Sequence, residues 1–363
     1  PIPRGVGAVI APWNFPLAIL CGMTAAPLVA GNTLILKPAE QSSVIAAVFM
    51  HLLEEAGVPP GVVNLLTGFG EEVGRYLVEH PKVDFITFTG SRCVGKSIWE
   101  AAGKTQPGQQ NLKKVVCEMG GKNAIIIDET ADLDEAIPAA ISSAFAYAGQ
   151  KCSALSRLIV LAPIYDVCVE RFIGAMKALP VGDPALPGTV VGPVIDAAAK
   201  ARIGQAIENA KRHATLAAQG SLQNAPAHGY FVPPTVFTDV NPLSELAQEE
   251  IFGPVVAILK AHSLDEAFAI ANGTAYALTG GIFSRTPSSL ERARTEFQVG
   301  NLYINRSITG AIVQRQPFGG YRMSGGGTKA GGPGYLEQFF FTRVVTENVV
   351  RRGFSAQSFP TSP

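Results

Sequence analysis

Short apolar runs alternate with helical patterns of hydrophobic residues along the first third of the chain. The strands predicted from this alternation are residues 7–11, 33–37, 62–66, 85–89 and 114–118, and the predicted helices lie near residues 17–30, 43–56, 71–80 and 92–102. Strands that alternate with helices form a parallel sheet with both faces covered, and such a sheet binds ligands at the carboxyl ends of its strands. We therefore predict a parallel α/β domain over residues 1–120.

The alternation resumes after residue 121 and predicts a second α/β domain over residues 121–340. Its predicted elements are a strand at 124–127, a helix near 133–147, a strand at 157–161, helices near 165–178 and 197–213, and a strand at 230–237. Residues 342–350 alternate like an exposed strand, and the Ser- and Pro-rich end after residue 353 is typical of disorder. Residues 341–363 are therefore predicted to be a strand followed by a disordered tail.

The composition narrows the class of protein. A length of 363 residues fits two domains of ordinary size. Hydrophobic residues make up 47% of the chain and charged residues only 16%, which predicts a large buried core rather than disorder. Because the formal net charge is zero and no lysine-rich run occurs, we expect no nucleic-acid partner.

The uncharged stretch over residues 5–36 resembles a membrane span in composition only. Pro12, Pro16 and Pro27 interrupt it, and a buried strand–helix–strand unit explains it better. The five cysteines form no CxxC pair and no metal-ligand spacing, so we predict no metal site and a reducing, cytoplasmic location. Since the chain starts at Pro1, directly before a predicted strand, we expect it to be a fragment that lacks its N-terminal segment.

A cysteine and a glutamate are the candidate reactive groups. Cys152 follows a glycine-bearing turn and directly precedes the hydroxyl of Ser153, and Glu118 ends an apolar run 34 positions earlier (152 − 118 = 34). A thiol and a carboxylate at strand ends could act as nucleophile and base in an acyl-forming reaction. The alternative is that Cys152 is an inert, buried hydrophobic side chain.

The ends of the predicted strands carry residues suited to a nucleotide. Lys37 can reach a ribose hydroxyl or a phosphate, and Glu40 can accept from ribose hydroxyls while repelling a 2′-phosphate, which favours NAD over NADP. Gly90 and Ser91 open a helix whose free N–H groups could hold a pyrophosphate. Glu250 is either a further ribose contact or a surface acid before an apolar strand.

Seven stretches, in order along the chain, resemble the motif set of the aldehyde dehydrogenase superfamily. They are residues 12–16, 37–40, 88–91, 118–122, 149–152, 249–254 and 317–320. Within that superfamily, residues 150–153 and 305–336 look like those of L-glutamate-γ-semialdehyde (1-pyrroline-5-carboxylate) dehydrogenases, above all the aldehyde dehydrogenase part of the bifunctional proline-utilisation protein. The resemblance implies an α/β fold with a Rossmann-like, parallel-sheet cofactor domain and a second α/β catalytic domain.

The resemblance also implies a role for each matching residue. Cys152 would attack the aldehyde, Asn14 and the Cys152 N–H would hold the oxyanion, and Glu118 would activate water. The implied NAD contacts are Trp13, Lys37, Glu40, Gly70, Gly90, Ser91, Glu250 and Phe252. The implied contacts to the substrate, through its α-carboxylate or its chain, are Ser153, Gly331, Gly332 and Phe318.

The chain departs from the family at its beginning, because family members carry a long segment before the tryptophan motif. The resemblance further implies a homo-oligomer in the full-length form, with residues 341–350 as an oligomerisation strand, and fusion to or cooperation with proline dehydrogenase. Three hypotheses stay open: an NAD-dependent glutamate-semialdehyde dehydrogenase, a dehydrogenase of another aldehyde, and an inactive truncated chain that only binds nucleotide or partner subunits.

Overall fold

The computed structural model describes residues 1–349. The strands are β1 (Ile2–Pro3), β2 (Val6–Ile10), β3 (Thr33–Lys37), β4 (Val63–Leu65), β5 (Phe85–Thr89), β6 (Lys114–Glu118), β7 (Asn123–Ile127), β8 (Leu155–Leu161), β9 (Thr215–Gln219), β10 (Thr235–Thr238), β11 (Val255–Ala261), β12 (Tyr276–Ala277), β13 (Thr279–Phe283), β14 (Asn301–Ile304), β15 (Tyr321–Arg322), β16 (Gly325–Gly326) and β17 (Phe340–Phe341). The α-helices are α1 (Ala18–Val29), α2 (Ser43–Glu55), α3 (Arg75–Glu79), α4 (Arg92–Ala102), α5 (Leu133–Phe145), α6 (Tyr165–Lys177), α7 (Ala197–Ala210), α8 (Glu245–Gln248), α9 (Leu264–Asn272) and α10 (Pro287–Glu296).

The first sheet has the order β16-β6-β5-β2-β3-β4, and β16 alone among these strands runs antiparallel to its neighbour. Successive residues of its strands pack on opposite faces. Val9 lies in a cluster with α1 and α2, whereas Ala8 lies in a cluster with α3 and α4. The doubly covered parallel sheet predicted from the first 120 residues is confirmed, because its strands are apolar on both faces.

The second sheet has the order β14-β13-β7-β8-β11-β10-β9, parallel except for the β9–β10 pair. The strand predicted at residues 230–237 is wrong in its first half, since β10 begins only at Thr235. Pro233 and Pro234 precede it, and neither has an N–H group to donate to a sheet. Together the two sheets give the mixed α/β architecture predicted from the sequence.

The end of the chain returns to the first sheet. β16 pairs with β6, and Tyr335 and Phe339 join the hydrophobic cluster between that sheet and helices α1 and α2. These residues were predicted to belong wholly to the second domain. Hydrophobic periodicity detects elements but carries no information on which distant element covers them, so the boundary at residue 120 separates parts that pack together.

The last described residues differ from the sequence prediction. β17 pairs with β1, and residues 342–349 form no strand with any part of the chain that the structure describes. Alternation of apolar and polar residues is not by itself enough to form a strand. Residue 350 and the predicted disordered tail lie outside the described residues, and the oligomerisation role stays a prediction.

The junction of the two sheets positions the candidate site. β6 ends at Glu118, and five residues later the chain enters β7 in the second sheet. Cys152 lies on the turn that leads from α5 into β8, which is the neighbour of β7. Within residues 1–349, no helix is long and apolar enough to cross a membrane.

Candidate active site

A left-handed turn brings Cys152 into position. Tyr147, Ala148 and Gly149 follow α5 with φ values of 63°, 54° and 69°. A Cβ on Gly149 would lie 2.3 Å from the carbonyl oxygen of Gly253, so only glycine fits there. The sequence Ala-Tyr-Ala-Gly therefore ends the helix and turns the chain toward the second sheet.

Two amide side chains fix the peptide around Cys152. Asn123 Nδ2 donates to the carbonyl oxygens of Cys152 at 2.7 Å and Ala154 at 2.8 Å. Gln150 Oε1 accepts from the Ile195 N–H at 2.8 Å. Because both side-chain amides hydrogen-bond to backbone groups, these contacts hold the loop that carries Cys152 in one conformation.

Asn14 reaches the same loop from the first sheet. It follows β2, is buried, and donates through Nδ2 to the carbonyl oxygen of Gln150 at 3.0 Å. The Asn14 amide thus contacts the loop two residues before Cys152, and its role as an oxyanion donor stays a prediction. Its neighbour Trp13 meets Phe252 edge to face, with ring centroids 5.6 Å apart.

Glu118 carries a carboxyl group enclosed by glycine backbone. Its Oε2 is buried and has no hydrogen-bond partner among the described residues. Burial raises the pKa of Glu118 to about 8, against the smaller lowering effects of the Gly320 N–H and the Lys329 ammonium. A carboxyl group with a pKa near neutral can accept and release a proton at working pH.

The Cys152 thiol is coupled to two carboxyl groups. Burial raises the pKa of Cys152 to about 12, and the charges of Glu250 and Glu118 add to the shift. The thiol is therefore protonated at neutral pH. Loss of its proton is easiest when a neighbouring carboxylate takes that proton, because the repulsion then disappears with it.

Glu250 lies inside the site rather than on the surface. Its Oε1 accepts from the Gly121 N–H at 3.0 Å, and a Cβ on Gly120 would lie 2.0 Å from its Oε2. Burial raises the pKa of Glu250 to about 7, opposed by that hydrogen bond and by the charge of Lys122. The alternative of a surface acid is therefore wrong, because the carboxylate is held against the peptide after Glu118; the ribose contact stays a prediction.

The predicted nucleotide residues converge at the ends of β3, β4 and β5. Lys37 Nζ lies 2.8 Å from Glu40 Oε1. Burial acts to raise the pKa of Glu40, but the hydrogen bond from Lys37 and the backbone N–H groups, including that of Gly70, hold it below its ordinary value. Ser91 caps α4 by accepting from the Val94 N–H at 3.3 Å, so Gly90 and Ser91 lie at a helix N-terminus, as predicted.

The predicted substrate loop is only partly free. Phe318 and Ala330 exchange two backbone hydrogen bonds of 2.9 and 2.8 Å, which hold the loop against the glycine segment. Gly331 adopts φ +70°, a conformation that favours glycine. The Gly332 N–H donates to the Lys329 carbonyl at 3.1 Å, so the expectation that it is an open donor is wrong: it closes a tight turn.

Ser153 is buried beside the nucleophile. Its carbonyl oxygen accepts from the Thr279 hydroxyl at 3.3 Å, and the residue is 7% exposed. Contact between its hydroxyl and the substrate stays a prediction.

The model of the aldehyde dehydrogenase family matches residues 2–345. The chain belongs to the aldehyde dehydrogenase family.

Curated relatives of this aldehyde dehydrogenase include the 1-pyrroline-5-carboxylate dehydrogenases of Geobacillus thermodenitrificans and Bacillus subtilis. They are 53% and 52% identical to it over 346 and 343 residues. The matches cover 95% and 94% of this chain and 67% and 66% of those proteins, so the chain spans about two thirds of their length.

Solved structures extend the comparison. Proline utilization A from Bdellovibrio bacteriovorus, inactivated by N-propargylglycine, matches with a TM-score of 0.94 and 54% identity over 97% of this chain and 36% of that one. A Thermus 1-pyrroline-5-carboxylate dehydrogenase with bound NAD matches with a TM-score of 0.91 and 50% identity over 93% of this chain and 65% of that one. The aldehyde dehydrogenase fold predicted from the motifs is thereby confirmed.

Sequence reasoning missed several residues of this aldehyde dehydrogenase site. Tyr303 lies in β14, and its buried hydroxyl has no hydrogen-bond partner among the described residues. Burial raises the pKa of Tyr303, and Cys152, when ionised, raises it further. Nothing in the sequence marks it, because it occupies an ordinary buried strand position. Asn123, two residues after the glycine pair of residues 120–121, was the more detectable omission, since polar residues are rare at the start of a fully buried strand.

Proposed function

We propose that this aldehyde dehydrogenase oxidises L-glutamate γ-semialdehyde to L-glutamate with NAD, through a thioester on Cys152. The observation that carries the proposal is the convergence on one loop of a thiol, two carboxyl groups with raised pKa values and the Asn14 amide. The curated relatives, which are named for 1-pyrroline-5-carboxylate, support the choice of substrate.

The residues divide the chemistry into two steps. In the first, the sulfur of Cys152 bonds to the aldehyde carbon, its proton passes to a neighbouring carboxylate, and the Asn14 amide and Cys152 N–H hold the oxygen that gains the electron pair. NAD, when bound, supplies the nicotinamide that accepts the hydride. In the second, Glu118 takes a proton from water, the water oxygen bonds to the thioester carbon, and the carbon–sulfur bond breaks to return the electron pair to Cys152.

The residues at the ends of the first sheet fit a dinucleotide. Lys37 and Glu40 lie side by side, Gly70 has no side chain to cover Glu40, and α4 turns its N-terminus toward the same edge. We propose that Glu40 accepts from the ribose hydroxyls and that Trp13 and Phe252 line the approach to Cys152. Because a 2′-phosphate would meet the Glu40 carboxylate, we expect a preference for NAD over NADP.

The glutamate part of the substrate needs donors for its α-carboxylate. We propose that the Gly331 N–H and the Ser153 hydroxyl supply them, with Phe318 beside the aliphatic chain. An aldehyde without the carboxylate would leave these donors unpaired, at a cost of about 1–3 kcal/mol each.

Further parts of the proposal concern partners and location. We propose a homo-oligomer in the cytoplasm that works with proline dehydrogenase, either fused to it or separate. The match to proline utilization A, in which this chain covers 36% of the longer protein, supports the fusion.

A substrate comparison tests the proposal. We expect kcat/KM for glutamate γ-semialdehyde to exceed that for pentanal by about tenfold or more, with NAD preferred over NADP. Cys152→Ala should abolish NADH formation while leaving NAD binding, measured by calorimetry, nearly unchanged. Comparable values for the two aldehydes would move the function to a broad-range aldehyde dehydrogenase, and NAD binding without any turnover would favour the inactive-chain hypothesis.

A further inference from the structure

Lys329 is a cation that the sequence analysis did not assign. Its Nζ donates to the Gly300 carbonyl oxygen and, at 3.1 Å, to Asn301 Oδ1. Asn301 also accepts from the Gly319 N–H at 3.3 Å and donates to the Pro317 carbonyl at 2.9 Å. One amide therefore connects the ammonium group to the glycine loop that covers Glu118.

Gly319 separates Lys329 from Glu118 by the thickness of one peptide. A Cβ on Gly319 would lie 2.8 Å from Glu118 Oε1 and 3.3 Å from the Lys329 Cα, and one on Gly325 would lie 3.2 Å from Glu118 Oε2. The carboxyl group is thus enclosed by backbone that carries no side-chain donor. This explains why Oε2 has no partner within the described structure.

We infer that Lys329 is a positioning residue for Glu118, whose ammonium, anchored by Asn301 and Gly300, favours the ionised carboxylate that activates water. The inference rests on the proposed function, because it concerns hydrolysis of the Cys152 thioester. In that step the water proton moves to Glu118, the water oxygen bonds to the carbonyl carbon, and the carbon–sulfur bond breaks.

Other titratable groups that face Glu118 do not supply this charge. Burial raises the pKa values of the Cys117 and Cys152 thiols to about 12 and raises that of the Tyr335 phenol, so all three are neutral at working pH. Burial lowers the pKa of Lys329 while Glu118 raises it. Glu118 is therefore the group of this pair that titrates near neutral pH, and the Lys329 ammonium stabilises its ionised form.

An alternative role for Lys329 is separable by experiment. Lys329 stands two residues before Gly331, so its charge could attract the substrate carboxylate instead. That role would raise KM only for aldehydes that carry a carboxylate. A role through Glu118 changes hydrolysis of every acyl group on Cys152.

The experiment compares Lys329→Met, Lys329→Arg and a matched control, Lys113→Met. Lys113 is also half-buried and also donates to two oxygen acceptors, in its case the backbone carbonyls of Val78 and His80, but it does not act on Glu118. The rate of deacylation is followed against pH with p-nitrophenyl acetate, an ester that acylates a thiol without any cofactor, and with glutamate γ-semialdehyde and NAD. Melting temperatures establish that each variant is folded.

In Lys329→Met we expect the pH at which deacylation is half-maximal to rise by about one unit with both substrates. Lys329→Arg should restore it, and Lys113→Met should leave it unchanged. Infrared titration of the Glu118 carboxyl, identified by difference from Glu118→Gln, should show the same shift and does not depend on turnover. If no aldehyde is oxidised, the proposed function fails while this titration still decides the Lys329–Glu118 coupling.

Two results would overturn the inference. One is an unchanged pH midpoint and an unchanged infrared titration in a folded Lys329→Met protein. The other is a rise in KM confined to glutamate γ-semialdehyde, which would assign Lys329 to the substrate carboxylate.

Discussion

At the residue scale, the site concentrates acid groups around a thiol that burial, helped by those groups, keeps protonated. Glu118 and Glu250 both have raised pKa values, for the same main reason of burial, and both act on Cys152. Burial therefore disfavours the ionised form of every acid group in this site. The Glu118 and Glu250 carboxylates can each accept the proton that leaves the thiol, because their raised pKa values mean a high proton affinity.

Replacing Glu118 by Gln should separate the two chemical steps. We expect Glu118→Gln to give a stoichiometric burst of NADH followed by steady-state turnover reduced by about a hundredfold or more, since the base is needed only for hydrolysis. Rapid-mixing absorbance measurements check this. Loss of the burst itself would place Glu118 in the first step. In the unchanged protein, hydrolysis should accelerate as pH rises through about 8, where Glu118 ionises.

The same substitution should alter the pH dependence of stability. The folded-state pKa of Glu118 is raised from 4.5 to about 8, so its contribution to stability is fully present below pH 4.5 and is lost as pH rises to about 8. The melting temperature of Glu118→Gln minus that of the unchanged protein should therefore increase between pH 4.5 and about 8. Above pH 8 this difference should stay constant. Parallel curves at all pH values would mean that Glu118 titrates normally.

The sequence predicted residue identities better than orientations. Cys152 and Glu118 could be proposed because a thiol follows a predicted turn and a carboxylate ends a predicted strand, and Asn14 because residues 12–16 resemble a motif of the family. The inward position of Glu250 and the occupied N–H of Gly332 could not, because each depends on a contact within a fold not yet known. The predicted NAD contacts, among them Trp13, Gly70 and Gly90, remain predictions for the same reason.

At the scale of elements, the turn before Cys152 stores backbone strain. Tyr147 and Ala148 adopt left-handed conformations that cost non-glycine residues about 1–2 kcal/mol each. The loop containing Gly253 packs directly against this turn, since a Cβ on Gly149 would lie 2.3 Å from the Gly253 carbonyl oxygen. A strained but enclosed turn holds the nucleophile in one orientation.

Gly149→Ala should break this arrangement. The new Cβ would meet the Gly253 carbonyl oxygen at 2.3 Å in a conformation that alanine rarely adopts, so we expect destabilisation of about 2 kcal/mol or more and slower acylation of Cys152. Gly174→Ala is the matched control: Gly174 lies within α6 with no atom near its Cβ position, and alanine should stabilise that helix by about 0.5–1 kcal/mol. Denaturant unfolding measures both, and equal stabilities would refute the steric argument.

At the scale of the whole molecule, the end of the chain completes the first sheet. Phe339 is fully buried, and its ring lies 5.6 Å from Phe85 of β5 and 5.3 Å from Tyr335. Sequence periodicity located the five parallel strands of the first sheet but only β7, β8 and part of β10 in the second. It carried no sign of this contact, which joins residues more than 250 positions apart (339 − 85 = 254). Such long-range pairing follows from complementary shape, which a linear pattern does not record.

Phe339→Ala should therefore destabilise the first sheet although it lies outside residues 1–120. We expect a loss of about 3–5 kcal/mol, as for a large aromatic side chain removed from a core. Leu336→Ala, at a position 38% exposed in the same segment, should cost much less. Hydrogen exchange resolved along the chain should show the loss of protection in β2, β3 and β5; a loss confined to residues 330–341 would contradict this view.

The antiparallel pair of β6 and β16 has a consequence for biosynthesis. Glu118 is aligned with Gly325, 207 residues later (325 − 118 = 207), and the glycines beside it come from the same late segment. A ribosome that has released the five parallel strands of the first sheet, β2 to β6, has therefore not yet released the peptide that encloses the base. The environment that raises the Glu118 pKa is assembled only after residue 325 has been translated, so a nascent chain can expose Cys152 long before it can hydrolyse what that cysteine captures.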